Sequence, residues 1–227
     1  MAFGIDATSD ATVLPTGGTS ISWSHTCAAN ANKLVLVCGN GLSVANRSVT
    51  SATYNGDACT EIKQQDGSSW AHVAVFKRDS PDTGSSFTAT FNFAADQSQI
   101  AASGISFIDA ATTDGAGFGA AASTANPSVT VTDSANTDIV LGVLFSDTGP
   151  DATTNADGTE IFEHEDINSD SDYSFQRYTA TGANQVVSWT CSDTANPWAI
   201  AAVAIKGAAG GAVVAPLFYP RKVFFEV

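Results

Sequence analysis

The sequence predicts an all-β protein, an antiparallel β-sandwich of jelly-roll-like type with about a dozen strands and an extended C-terminal arm. Apolar and polar residues alternate with a period of two in many short segments, which is typical of half-buried strands. Turn signals separate these segments at short intervals. Thr, Ser, Ala, Gly, Asn and Asp are abundant and Leu, Glu and Lys are scarce, which favours strands over long helices.

The chain of 227 residues is long enough for one domain with a tail, and for a core that needs no disulfide or metal. Composition divides it into four parts. Small polar residues with Pro and Gly predict an N-terminal arm at 1–19, and a β-sandwich domain follows at 20–206. A Gly/Ala hinge at 207–211 precedes a C-terminal docking arm at 212–227.

Two similar stretches lie near the ends of the predicted domain. Residues 21–27 and 187–191 both alternate around a Trp and end in Cys. Each is followed by a polar turn and a continuous apolar run, at 33–38 and 198–205, as expected of a strand buried on both faces. We interpret them as two hairpins that are neighbours in one sheet. Cys27 and Cys191 end the matching strands, and their spacing leaves a bridge between them open.

Further strands are predicted between these stretches. Asn55-Gly56 is a strong hairpin signal. Two segments, 109–126 and 147–158, are predicted as long loops, and 163–172 as an acidic loop. The predicted strands cover 47–55, 59–63, 70–78, 86–93, 100–108, 128–132, 138–146, 159–163 and 173–180.

The net charge of the chain and the sequence of its first residues limit the kinds of partner and location that we expect. The formal net charge is −14, with only nine Lys and Arg, so neither nucleic acid nor an anionic membrane surface is an expected partner. Residues 1–15 show no secretory signal, and no apolar run is long enough to span a bilayer.

The histidines and acids form no recognisable catalytic set. His25 shares a strand face with Trp23, which predicts a buried structural histidine, and His72 lies in a strand without a nearby carboxylate. His164 lies among acids that favour its charged form, in what we interpret as a solvated loop. Glu163 and Glu165 alternate as paired glycosidase carboxylates do, but the further acid of such strands is missing.

Residues 166–172 resemble the start of a calcium loop. The match fails further on, because Ser171 replaces the glycine and Arg177 stands where the bidentate glutamate belongs. A calcium site of another kind stays open. We therefore predict no catalytic residue, no cofactor and no metal ligand. The tryptophans are predicted in the core rather than in a sugar site, namely Trp23, Trp70, Trp189 and Trp198.

The segment 212–227 differs from the rest of the chain. Arg221 and Lys222 against Glu226 give it a charge of +1, which leaves −15 for the remainder. An apolar segment of this kind predicts docking, most simply as a strand added to a sheet edge. The predicted assembly interface consists of Leu217, Phe218, Tyr219, Arg221, Lys222, Val223, Phe224 and Phe225.

Three motifs resemble all-β virion proteins of tailed bacteriophages, of the capsid decoration (cement) type. They are Ser-Trp-Ser-His-Thr at 22–26, Val-Thr-Ser-Ala-Thr-Tyr-Asn-Gly at 49–56 and Pro-Trp-Ala-Ile-Ala-Ala-Val-Ala-Ile-Lys at 197–206. The resemblance spans about residues 18–206 and carries no catalytic residues. It implies a virion component, assembled in the host cytoplasm, rather than an enzyme.

What the resemblance implies can be stated as expectations. The first is a homo-oligomer, a trimer, that binds the major capsid protein or other virion proteins and stabilises the shell through its termini. The alternatives are a tail or neck protein, and a carbohydrate-binding module of a host-recognition fibre that uses the long loops at 109–126 and 147–158.

Overall fold

The computed structural model describes residues 2–14, 18–41, 47–67, 70–122, 126–146, 152–154, 158–166, 171–191 and 197–208. It confirms an all-β, sandwich-like fold, with 17 strands where about a dozen were predicted. The described part contains no helix, and so none that could cross a membrane. The predicted docking arm at 212–227 lies outside the described residues, and so does every residue of the predicted assembly interface.

The strands fall into two sets along the chain. The first set is β1 (Gly4–Leu14), β2 (Gly18–Thr26), β3 (Ala31–Gly41), β4 (Val49–Tyr54), β5 (Asp57–Ala58), β6 (Thr60–Asp66), β7 (Ala71–Asp79), β8 (Ser86–Gln97) and β9 (Gln99–Ile108). The second set is β10 (Phe118–Ala122), β11 (Ser128–Val131), β12 (Ile139–Ser146), β13 (Ala152–Thr154), β14 (Thr159–Asp166), β15 (Ser171–Thr179), β16 (Gln185–Cys191) and β17 (Trp198–Ile205).

Each set forms one sandwich of two antiparallel sheets. In the first sandwich an inner sheet has the order β1-β9-β3-β7-β6 and an outer sheet the order β2-β8-β4-β5. In the second the inner sheet has the order β10-β17-β12-β15-β14 and the outer sheet the order β11-β16-β13. The two inner sheets pack face to face, so the molecule has four layers of sheet.

Three apolar cores lie between the four layers. The central core joins the inner sheets, with Val37 and Val143 among its members. One outer core holds Trp23, and the other holds Trp189. Because each inner sheet has a core on both sides, its central strands are apolar without alternation, as in β12, where every residue is buried.

The two sandwiches repeat the same strand order. Eight strands of the first sandwich correspond in sheet position to the eight described strands of the second. In chain order, β1 to β4 correspond to β10 to β13, and β6 to β9 correspond to β14 to β17. Among the described strands, only β5 lacks a counterpart. The register agrees as well. Lys77 of β7 lies between Val35 and Thr60. Arg177 of β15 lies in the same way between Leu141 and Thr159.

The prediction of two hairpins in one sheet is wrong. Strand β2 pairs with β8, and β16 pairs with β11 and β13, so each stretch passes from an outer sheet to an inner one instead of folding back on itself. The counterpart of β16 is β8, not β2. The likeness between the two stretches arises because any outer strand must present large residues to a core every second position.

The cysteine bridge that spacing left open does not form. Cys27 and Cys191 are free and buried, and each lies in a different outer core, on opposite sides of the two inner sheets. Burial raises the pKa of both thiols. They are therefore packing residues of their separate sandwiches.

Several segments predicted as arm or loop contain strands. Residues 4–14 form β1 at the edge of the first inner sheet, where a polar sequence is tolerated because no described strand pairs with its other edge. The predicted loops at 109–126 and 147–158 contain β10 and β13. The acidic segment at 163–172 extends β14 to Asp166 and starts β15 at Ser171. The predicted hinge begins with a paired residue, since Gly207 bridges Ala110.

Candidate functional site

His25 serves the packing of the first sandwich. Its side chain is 1% exposed, and its Nδ1 lies 2.7 Å from the Oγ of Ser9. The same Oγ accepts a hydrogen bond from Nε1 of Trp23 at 3.0 Å. Burial lowers the pKa of His25 to about 4, although Asp6 acts in the opposite direction. A neutral, enclosed imidazole of this kind fits the expected structural role.

His72, in the first inner sheet, is also a buried and neutral imidazole. Its Nδ1 lies 2.8 Å from Oδ1 of Asn40, and the amide nitrogen of Asn40 donates to the carbonyl of Arg47 and to Gln97. The Asn40 oxygen must therefore accept, which makes His72 Nδ1 the donor. Burial lowers the pKa of His72 to about 4, against the charge of Asp66.

Two lysines and two aspartates form the main ion-pair network among the described residues. Asp114, in the connection between the two sandwiches, binds Nζ of Lys33 at 2.5 Å and Nζ of Lys77 at 2.6 Å. Asp79 binds the same two lysines at 2.9 and 3.1 Å. Burial disfavours the charged form of Lys77, but the bonds to Asp114 and Asp79 outweigh it and raise the pKa of Lys77. The network ties the connection to the first sandwich.

The acidic candidates do not assemble into a metal site in the described part of the chain. There, no group of three His, Cys, Asp or Glu is arranged to hold a metal ion. Glu163 and His164 lie on β14, and Asp172 is buried on β15, while residues 167–170 lie outside the description. Three of the four tryptophans are buried as predicted, and Trp70 is half-buried.

The edge strands of the two inner sheets meet along two lines, which we call seams. The repeated strand order makes the two seams equivalent, and one of them, the closed seam, leaves no gap between its strands. There β10 lies against β6. A Cβ at Gly117 would lie 2.6 Å from Cβ of Lys63, and a Cβ at Gly119 would lie 2.6 Å from Oε1 of Gln65. Glycine at these positions lets the two strands approach without a gap.

The other seam, between β1 and β14, opens into a groove of about 390 Å³. We call it the β1–β14 groove. Its floor is apolar and its rim carries hydroxyl groups and two charges. The lining residues are Gly4, Ile5, Thr8, Ile139, Thr159, Glu160, Ile161 and Arg177.

Arg177 supplies the positive charge in the lining of this groove. Its side chain is half-buried. No described side chain forms an ion pair with its guanidinium, in contrast to Lys77 at the equivalent place. An arginine fork of this kind binds a carboxylate in a bidentate manner. In the sequence, Arg177 stands out only as a mismatch to a calcium loop, and the repeated strand register is the signal that identifies its position.

A second, polar cavity of about 440 Å³ adjoins the groove through Thr159. Its other lining residues are Tyr178, Thr179, Thr181 and Gln185. The phenol of Tyr178 lies 3.3 Å from both the carbonyl and the amide nitrogen of Ser188. Together the two cavities form a depression around the start of β14, with hydroxyl and amide groups at one end and isoleucines at the other.

The chain leaves the described body close to the β1–β14 groove. Gly207 lies against the ring of Phe3, since an added Cβ would be 3.0 Å from that ring, and Phe3 precedes Gly4 in the groove wall. Ile205 pairs with Ile139 of the groove floor. The described part of the chain therefore ends, at Ala208, near one end of the groove.

No protein-family model, no curated protein and no solved structure matches this chain. The resemblance to tailed-phage virion proteins accordingly stays a prediction.

Proposed function

We propose that the protein is a non-enzymatic structural protein of a phage virion, a capsid decoration (cement) protein that stabilises the shell through its termini. Its partners are the major capsid protein or other virion proteins, and it assembles in the host cytoplasm. The expected trimer forms on the particle, where the terminal segments of neighbouring copies come together.

The contrast between the segment 212–227 and the rest of the chain carries this proposal. The segment is apolar and has a charge of +1, whereas the remainder has −15. Burial of its six large apolar side chains would contribute on the order of 10 kcal/mol before ordering costs. An acidic body that repels its own copies and a short adhesive segment suit a protein held on a particle surface.

The chemistry of the described body supports a structural role over catalysis. His25 and His72 are neutral and enclosed, and Lys33 and Lys77 are committed to ion pairs. Sandwiches with two Greek keys occur in viral capsid and lectin domains. Each half of the protein is likewise a sandwich of two antiparallel sheets, which supports a fold of this general class.

Co-sedimentation with empty capsids of the encoding phage tests the proposal. The triple variant Phe218→Ser, Phe224→Ser, Phe225→Ser should bind at least about tenfold more weakly than the full-length protein. The variant Val186→Ser, which removes an exposed apolar residue from the body, is the matched control and should bind normally. Equal binding by the triple variant, or no binding by the full-length protein, would contradict the proposal. The same assay on tail tubes and necks addresses the tail or neck alternative.

A carbohydrate-binding module of a host-recognition fibre is the second candidate, favoured by the polar cavity beside Thr159. Hydroxyl and amide side chains such as Thr179, Thr181 and Gln185 suit the hydroxyl groups of a sugar. A glycan array tests it. Under this reading the triple variant keeps its glycan ligand, and Gln185→Ala weakens binding, whereas the decoration role predicts no glycan ligand.

A further inference from the structure

We propose that the β1–β14 groove is the docking site for residues 212–227 of the same chain. In the free protein the adhesive segment would then lie on its own body, covered until a partner displaces it. This inference concerns the isolated protein and does not depend on the virion role.

The groove lies between two unpaired strand edges. Strand β1 pairs with β9 alone, and β14 pairs with β15 alone, so within the described strands one edge of each is without a partner strand. An extended segment laid along such an edge gains main-chain hydrogen bonds, which is the usual way in which a peptide adds to a sheet. The equivalent seam between β10 and β6 has no room, because Gly117 lies against Lys63 there.

The lining of the groove complements the composition of the segment. Ile5, Ile139 and Ile161 form an apolar floor that suits Leu or Phe side chains. Arg177 and Glu160 on the rim offer one charge of each sign. The segment has apolar residues interleaved with Arg221, Lys222 and Glu226, so it can supply both an apolar face and the opposite charges. Its net positive charge is also attracted by the acidic body.

The segment can reach the groove. Gly207 contacts Phe3, next to Gly4 at the end of the groove. The residues at 209–216 can span up to about 26 Å when extended, while residues 4–8 of the groove wall extend over about 13 Å. A short tether of this kind gives an effective concentration of the order of millimolar, which favours docking on the same molecule over docking on a second copy.

Photo-crosslinking of the full-length protein tests the proposal. Benzoylphenylalanine replaces Phe224, and heavy-isotope and light-isotope protein are mixed before irradiation. The expected result is a crosslink to residues 4–8 or 159–161 in which both peptides carry the same isotope. The control places the same group at Ser22, which is exposed on β2 in an outer sheet, and should give no crosslink to the groove.

Three outcomes would overturn the proposal. Mixed-isotope crosslinks to the groove would show that it receives the segment of another copy. Crosslinks to other strands would show that the segment docks elsewhere, and a yield no higher than the Ser22 control would show that it does not dock. Capsid binding measured on the same preparation separates this result from the virion role, because either can fail alone.

Discussion

Lys77 and Arg177 occupy the same position in the two halves of the molecule, each on the fourth strand of its inner sheet and each opposite a threonine on the neighbouring edge strand. Their surroundings differ. Lys77 binds Asp79 and Asp114, whereas Arg177 lines the β1–β14 groove and forms no ion pair with a described side chain. Lys77 therefore stabilises the connection between the sandwiches, whereas Arg177 has no such role among the described residues.

The Asp114 network should contribute strongly to stability. Asp114→Asn keeps the shape of the side chain but removes its charge, which leaves Lys33, 1% exposed, with only the more exposed Asp79 as its partner. We expect a loss of about 3 kcal/mol in the free energy of unfolding, because the buried charge of Lys33 loses the more buried of its two partners. Urea unfolding measures it.

The matched control for Asp114 is Asp57→Asn, which removes the ion pair with Arg78 on the surface. Exposed pairs contribute about 1 kcal/mol or less, so this variant should unfold almost as the wild type does. Similar losses in the two variants would contradict the assigned role of Asp114.

Stability should fall on mild acidification because of His25 and His72. Burial lowers the pKa of both imidazoles from 6.5 to about 4, so between these values the unfolded chain binds more protons than the folded protein. The stabilisation is complete above pH 6.5 and is lost as the pH falls towards 4, by about 1.4 kcal/mol per pH unit for each histidine.

Urea unfolding from pH 7.5 to 4.5 checks the histidine prediction. His72→Asn retains a side-chain donor for Oδ1 of Asn40 and should flatten the pH dependence by about the contribution of one histidine. A slope that is unchanged by this substitution would show that His72 does not bind its proton preferentially in the unfolded state.

Gly39 sets the contact between the two inner sheets. A Cβ at this position would lie 2.7 Å from the ring of Phe145 and 2.8 Å from that of Tyr173, both in the second sandwich. Gly39→Ala should therefore cost about 1–3 kcal/mol in the free energy of unfolding. In the background of Phe145→Ala the same substitution should cost at least about 0.5 kcal/mol less, because part of the clash is gone.

Gly182→Ala is the control for Gly39, since its Cβ would approach only Asn136, at 3.8 Å. It should change the free energy of unfolding by less than about 0.5 kcal/mol. Additive effects of the Gly39 and Phe145 substitutions would indicate that the two sandwiches do not pack as described.

The local pattern of apolar and polar residues predicted strands well where that pattern depends only on which faces of the strand are buried. The apolar run at 198–205 was expected as a strand buried on both faces, and β17 is fully buried between two cores. Trp23 and Trp189 were expected in the core from alternation, and both are buried. In these cases the environment of each residue follows from its nearest neighbours in sequence.

The repeat and the groove were missed because they depend on pairings between distant residues. The counterparts Lys77 and Arg177 share a register but little surrounding sequence, whereas the local likeness of β2 and β16 suggested a wrong correspondence. The polar sequence of β1 predicted an arm, because an edge strand needs little apolar surface. The close approach of β10 and β6 at the closed seam depends on glycine at positions 117 and 119, which no periodicity reveals.

Amide hydrogen exchange in the two seams tests most directly the claim that the open seam holds the C-terminal segment. The full-length protein is compared with the variant Phe224→Ser, Phe225→Ser. We expect faster exchange in the variant at residues 4–8 and 159–163, and unchanged exchange at residues 60–66 and 118–122 of the closed seam, which is the internal control. Unchanged exchange at both seams, or equal acceleration at both, would contradict the account.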